Sequence, residues 1–236
     1  MRDWVAWHEG YDDPSSGLSA RLTLVKQHLA GALDRAPAGP VRLLSLCAGQ
    51  GRDVIETLPG HPRRGDVSAV LVEASPQLAG EARDAAAAAG LSRVEVRAAD
   101  AGLVASFADA LPADVLLLCG IFGNVSAGDI ARTVAAAPAL CAPGATVIWT
   151  RHRRAPDLTS RIRDWFTAAG FAELAFGTPP SAAQTGVGAA VLRDGRGAVR
   201  PEGPLFRFGS AEGLGSGPAG ASADGSGRRA GPAPGG

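Results

Sequence analysis

Between Val41 and Leu192 the chain alternates short apolar runs with segments of helical period. The runs "VRLLSLC" (41–47), "SAVLVEA" (68–74), "RVEVRA" (93–98), "DVLLLCG" (114–120) and "TVIWTR" (146–151) carry few polar interruptions. Such runs predict strands covered on both faces, as in a parallel sheet. Between them a helix is expected from Asp53, another over Pro76–Ala89 and a third over Ala127–Leu140, with a short segment ending at Pro112. Repeated strand–helix–strand units predict an open, mostly parallel, doubly wound α/β sheet with right-handed crossovers.

The next stretch, "APDLTSRIRDWFTAAGF" (155–171), reads as a helix with defined ends. Asp157 is placed to cap it, Leu158, Ile162, Trp165, Phe166 and Ala169 share one face, and Gly170 supplies the stop. Beyond it "FAELAFG" (171–177) and "GVGAAVLR" (186–193) read as two strands joined by a Pro- and Gly-bearing loop. Strands without an intervening helix predict an antiparallel pair at the sheet edge, which brings the strand count to seven.

Ahead of this core Leu18, Leu22, Val25, Leu29 and Leu33 recur at three- and four-residue intervals, so an amphipathic helix is expected from about Ser16. Trp4, Trp7, His8 and Tyr11 precede it in a polar, irregular stretch. Two readings stand: the aromatics pack the arm onto the core, or they form a lid over a ligand crevice. From Gly209 to Gly236 there are ten Gly and three Pro, and Leu214 is the only large apolar side chain. Such a tail cannot bury enough surface to offset its ordering entropy and is expected to be disordered. The expected organisation is therefore an arm and helix over 1–38, a core over 39–208 and a tail over 209–236.

Composition narrows the partners. Lys and Arg number 23, matching the 23 Asp and Glu, which argues against a general grip on nucleic acid or an anionic membrane. Lys26 is the only lysine, a bias that carries no functional meaning here. No apolar run approaches the ~20 residues needed to span a bilayer. The start "MRDWVAWHEGYDD" lacks the basic and apolar regions of a secretory signal. Cys47, Cys119 and Cys141 sit in apolar surroundings without metal-ligand spacing. An odd, sparse set in a chain with no export signal predicts free, buried thiols, no bound metal and a cytoplasmic location.

The most informative corner is "RLLSLCAGQGRDVIETL" (42–58), where the first strand runs into Ala48-Gly49-Gln50-Gly51. In an open parallel sheet, ligands bind at the carboxyl ends of the strands, where the strand order reverses. Glycine permits a tight turn and close backbone approach, and a helix starting near Asp53 points free amides at whatever is bound. Glu73 ends the second strand 22 residues after Gly51, placed to accept two hydroxyl protons from a ribose. Asp100 ends the third strand, placed to accept an amino proton or to fix a neighbouring loop.

A glycine turn and two acids at three successive strand ends resemble the class I S-adenosylmethionine-dependent methyltransferases over roughly Val41 to Leu192. The resemblance implies a Rossmann-like methyltransferase fold, S-adenosyl-L-methionine as cofactor and transfer of its methyl group. It places Ala48, Gly49, Gln50 and Gly51 against the methionine part, Glu73 and Ala74 at the ribose, and Asp100 and Ala101 near the adenine. Cys119, Gly120 and Ile121, at the end of the fourth strand, would line the methyl-transfer site, and the reversed last pair matches the family's sheet. Many members carry an acid at the place of Ser45 and a glycine at the place of Cys47. Arg52 could then face the cofactor carboxylate, and Asp53 could steady the loop or cap the helix. Strand four ends "LLLCGIFGNV" without the Asn/Asp-Pro-Pro-aromatic pattern that related enzymes present to adenine or glutamine amino groups. Strand five ends "WTRHRRAPD", which puts Arg151, His152, Arg153 and Arg154 at the ligand edge as a general base, an anion clamp or a solvated loop.

His152 and Tyr11 are the candidate proton acceptors, with His8 beside them, and the default acceptor is a small molecule. Two rivals stay open. A nicotinamide-dependent oxidoreductase would also use a glycine turn and a ribose acid, although Val54 occupies the third glycine of Gly-x-Gly-x-x-Gly. A non-catalytic S-adenosylmethionine-binding protein would keep the fold without the chemistry.

Overall fold

The computed structural model describes residues 9–195, 201 and 203–208. Trp4, Trp7, His8 and the Gly209–Gly236 tail lie outside the described residues.

The alternation of apolar runs produces one seven-stranded sheet. Its strands in chain order are β1 (Val41–Leu46), β2 (Val67–Glu73), β3 (Val94–Ala98), β4 (Ala113–Leu118), β5 (Cys141–His152), β6 (Phe171–Gly177) and β7 (Thr185–Leu192). Across the sheet the order is β3-β2-β1-β4-β5-β7-β6. The first five strands pair in parallel. β7 slots between β5 and β6 and runs antiparallel to both. The sequence of connections reverses direction between β1 and β4, so the crevice at their carboxyl ends is where a ligand site is expected in such a sheet.

The helices are α1 (Gly17–Arg35), α2 (Arg52–Ile55), α3 (Pro76–Ala88), α4 (Ala127–Leu140) and α5 (Thr159–Ala168). They divide between the two faces of the sheet. On one face α1 buries Val25, Leu29 and Leu33 with Leu43, Val115, Leu117 and Ile148 of the central strands. Each such side chain contributes about 1.5–3 kcal/mol by leaving water. The amphipathic helix therefore shares the core of the sheet. On the other face α4 and α5 cover an aromatic cluster in which Trp149 stacks on Phe166 and Phe176 at 6.0 and 5.7 Å. Gly188 makes room for that indole, because a Cβ there would come within 2.3 Å of it.

Local signals explain most element ends. Ser16, Ser75 and Ser126 cap α1, α3 and α4, each side chain accepting a backbone N–H of the first turn. Asp157 accepts the Thr159 amide at 2.9 Å just ahead of α5, and Gly170 ends that helix in the left-handed region at φ +88°. The helix expected from Asp53 is the exception. It closes after one turn, with Gly51 rather than Asp53 as its N-cap, and passes into a 3-10 turn at Leu58–Gly60. The proline at 59 has no N–H to donate to the carbonyl of residue 55, so the α-helical ladder cannot continue.

Candidate functional site

The corner after β1 is built from left-handed backbone. Cys47, Gly49 and Gly51 have φ of +57°, +56° and +67°. Gly51 is required twice over, since a Cβ there would also lie 2.6 Å from Leu71. The turn is tied down by Ala48 N–H donating to Val72 O at 3.0 Å and Gly51 N–H to Ala48 O at 2.8 Å. Glu73 closes it from the next strand. Its Oε2 accepts the Gly49 amide and its Oε1 the Ser75 amide, both at 2.8 Å. Each carboxylate oxygen has a second acceptor direction, so hydroxyls of a ligand can still be bound.

These groups wall a cavity of about 370 Å³ at the carboxyl ends of β1, β2 and β4. Of the residues singled out in sequence, Tyr11, Cys47, Ala48, Gln50, Arg52, Asp53, Glu73, Ala74, Cys119 and Gly120 line it. Gly49 and Gly51 shape the turn behind that wall. Asp100 fixes the neighbouring loop by accepting the Gly102 amide at 2.8 Å. Ala101 and Ile121 do not face the cavity: both are buried in the apolar core, since a strand-end position alone does not set side-chain direction.

Electrostatics inside the first cavity are balanced. Burial pushes the Asp53 carboxyl up to about 6, against the pull of the Arg21 charge and of the Val54 amide it accepts. Burial holds the Cys47 thiol far above its usual value, helped by Glu73 and Asp100, and raises Cys119 likewise, so both are neutral small groups beside the ligand space. Arg52 donates to Gln50 at 2.9 Å and to Asp12 of the N-terminal arm at 2.5 Å, and its guanidinium lies over the Tyr11 ring. The arm thus roofs the cavity with Tyr11, whose hydroxyl accepts from Arg21 and is kept protonated mainly by burial.

A second cavity, of about 430 Å³, adjoins the first through Arg21 and Gly120. Its walls come from the start of α1, the loop after β4, the end of β5 and the start of β7, and include Asn124, Thr150, Arg151, His152, Arg154 and Gln184. The Thr150 hydroxyl anchors Gly120 by taking its amide at 2.9 Å. Burial lowers the His152 pKa and the Arg151 and Arg154 charges lower it further, so the imidazole is neutral at neutral pH. Its Nδ1 is buried with no hydrogen-bond partner among the described residues. Gly123 lies against this ring, with a Cβ there only 3.3 Å from His152 Cδ2. Arg153, by contrast, turns away to pair with Asp157 at 3.1 Å.

The structure adds Arg21, Leu22, Ser75, Leu78 and Phe208 to the first cavity. Leu22 was visible as part of the apolar row of α1, but nothing in its period shows that the row's end faces a crevice. Phe208 comes from a returning segment: Leu205 N–H donates to Gly102 O at 2.8 Å, and Leu205 and Phe206 are buried.

No family model and no curated protein matches the chain. Solved structures do. An O-methyltransferase family protein from Burkholderia thailandensis superposes with a TM-score of 0.62 at 18% identity, over 83% of this chain and 62% of that one. The chain therefore spans less than two thirds of that neighbour. Magnesium protoporphyrin IX methyltransferase from Synechocystis PCC 6803, crystallised with S-adenosylhomocysteine, gives 0.64 at 12% identity, covering 81% of this chain and 94% of that one. Precorrin-6y C5,15-methyltransferase from Geobacter metallireducens gives 0.51 at 14% identity, over 72% and 87%. With its strand order, reversed β7 and glycine corner, this chain has the Rossmann-like fold of the class I S-adenosylmethionine-dependent methyltransferases.

Proposed function

We propose that the chain binds S-adenosyl-L-methionine in the first cavity and transfers its methyl group to a small molecule in the second. The observation that carries this reading is the Glu73 carboxylate, which meets the Gly49 amide at the wall of a cavity opening on another through Gly120. The residues present fit such a cofactor: left-handed backbone at 47–51 allows close approach, and Glu73 retains acceptor directions for two ribose hydroxyls. When bound, the cofactor would supply a methyl group on a positively charged sulfur, whose carbon–sulfur bond breaks with its electron pair left on sulfur.

The chain's own work is then alignment, exclusion of water and removal of a proton. Ala48, Gln50 and Glu73 position the nucleoside and its tail, while Gly120, held by Thr150, leaves open space between the cavities. The arm residues Asp12 and Tyr11 shield the site, an assignment that favours the lid reading of this segment. A nucleophile in the second cavity forms the new bond to carbon, and its proton passes to neutral His152. Tyr11 is assigned to the cofactor side, because a phenol with a raised pKa is a poor base.

The fold and a ribose acid alone would also suit a nicotinamide enzyme. Against that, Val54 stands at the third glycine position and is fully buried in the core, filling the place where a helix would approach the strand closely. Thermal unfolding separates the readings. Saturating S-adenosylhomocysteine should raise the melting temperature and NADH should not; the reverse result would transfer the assignment to hydride chemistry.

A further inference from the structure

The second cavity contains three guanidinium-bearing side chains, Arg21, Arg151 and Arg154, and no carboxylate among the described residues that line it. Elsewhere in the molecule arginines meet acids closely: Arg97 reaches Asp109 at 2.7 Å, and Arg163 reaches Glu173 at 2.8 Å. Arg151 differs. It is only 6% exposed, its guanidinium donates to the Phe122 carbonyl, and its Nε is buried with no hydrogen-bond partner among the described residues. Arg154 is exposed at the cavity rim, and its guanidinium makes no ion pair or hydrogen bond among the described residues. The charge of Asp157 reaches Arg151 only at a distance, since the Asp157 carboxylate is bonded to Arg153 and to the Thr159 amide and hydroxyl.

Burying a cation that no carboxylate contacts directly is costly, and the cost is recovered when an anion enters with matching geometry. A planar guanidinium with a vacant N–H edge is suited to a carboxylate or phosphate, which can take two parallel hydrogen bonds. The cavity between α1 and β7, of about 430 Å³, is of a size that suits a small molecule. We infer that the methyl acceptor is a small oxyanion-bearing molecule whose carboxylate or phosphate is held by Arg151 and Arg154, with its nucleophilic atom turned toward Gly120. The inference rests on the methyl-transfer reading of the same site and deepens it by naming the acceptor class. It also gives a physical reason for pairing these cavities: an anion beside a positive sulfur neutralises charge.

The test uses the full chain saturated with S-adenosylhomocysteine and titrated calorimetrically with benzoate, phenyl phosphate and neutral benzamide. The expected result is uptake of benzoate or phenyl phosphate at least about ten-fold tighter than benzamide, the charged head that binds better identifying the oxyanion. Arg154→Gln should weaken that uptake by about ten-fold. The same variant should leave S-adenosylhomocysteine affinity within about two-fold, because Arg154 does not line the cofactor cavity. Arg154 is exposed, so this substitution avoids the folding risk of altering buried Arg151. If S-adenosylhomocysteine binds but all three probes bind alike or not at all, the anion inference is overturned while the cofactor assignment stands. Failure of S-adenosylhomocysteine itself to bind would overturn both.

Discussion

The first cavity takes its walls from left-handed backbone after β1 and from the carboxylates of Glu73 at the end of β2 and Asp53 on α2. The second draws its walls from four separate parts of the chain, with its arginines and imidazole supplied by α1 and by the end of β5 with the loop after it. In the first, function and folding share the same atoms: Gly49, Gly51 and Glu73 hold the corner together whether or not a ligand is present. In the second, Arg154 contributes nothing visible to the fold, and Arg151 sits buried at a cost. The difference separates a glycine turn whose geometry the fold itself needs from an exposed rim position, Arg154, that the fold does not need. That is a physical basis for one fold serving many substrates.

The contrast can be attacked through stability. The largest expected effect lies at Asp53, whose carboxyl is raised to about 6 from 3.8. Between those values the unfolded chain has released the proton that the folded protein still holds. The stability from that proton is present below 3.8 and lost as pH rises through 6, leaving a penalty of up to about 3 kcal/mol above it. Asp53→Asn removes the titration, so urea unfolding should show a flatter dependence across that window and greater relative stability at neutral pH. A variant with the same pH slope as the parent would mean that Asp53 is ionised throughout.

A smaller effect is expected at Gly51. Gly51→Ala forces a Cβ into left-handed backbone and against Leu71, which should cost about 2 kcal/mol of unfolding free energy. Arg154→Gln on the other side should stay within about 0.5 kcal/mol of the parent. Equal losses in the two variants would erase the distinction between the cavities. The smallest change is expected at Cys47, the one non-glycine with positive φ among the described residues. Cys47→Gly relieves that conformation and should stabilise the protein by about 0.5–1 kcal/mol, offset in part by glycine's greater freedom when unfolded.

The same contrast governs what could be read from sequence. The glycine corner and Glu73 were legible because their chemistry is local: a turn needs glycine, and a strand-end acid lies a fixed distance along one β-α-β unit. The seven strands and the reversed edge pair were legible from unbroken apolar runs and from the missing helix between β6 and β7. The length of α2 was not, because the apolar residues Val54, Ile55 and Leu58 keep a helical spacing that the backbone abandons after one turn. Phe208 reaches the cofactor cavity only because Leu205 and Phe206 bury themselves beside Gly102, a long-range contact with no local signature. The basic run after β5 was visible as charge. Its division into Arg153 paired with Asp157 and Arg151 in no direct ion pair among the described residues depends on strand pleat and on the turn before α5. The meeting of two cavities at Gly120 is a product of strand order and appears in no single segment.

The central claim, that Glu73 and the corner at 47–51 seat an adenosyl cofactor, is tested most directly by calorimetric titration of S-adenosylhomocysteine into the full chain and its Glu73→Ala variant. The account predicts saturable one-to-one binding to the parent and a loss of about one hundred-fold in the variant, the value of charge-assisted bonds to two hydroxyls. Absence of binding to the parent, or equal affinity in a folded variant, would contradict it.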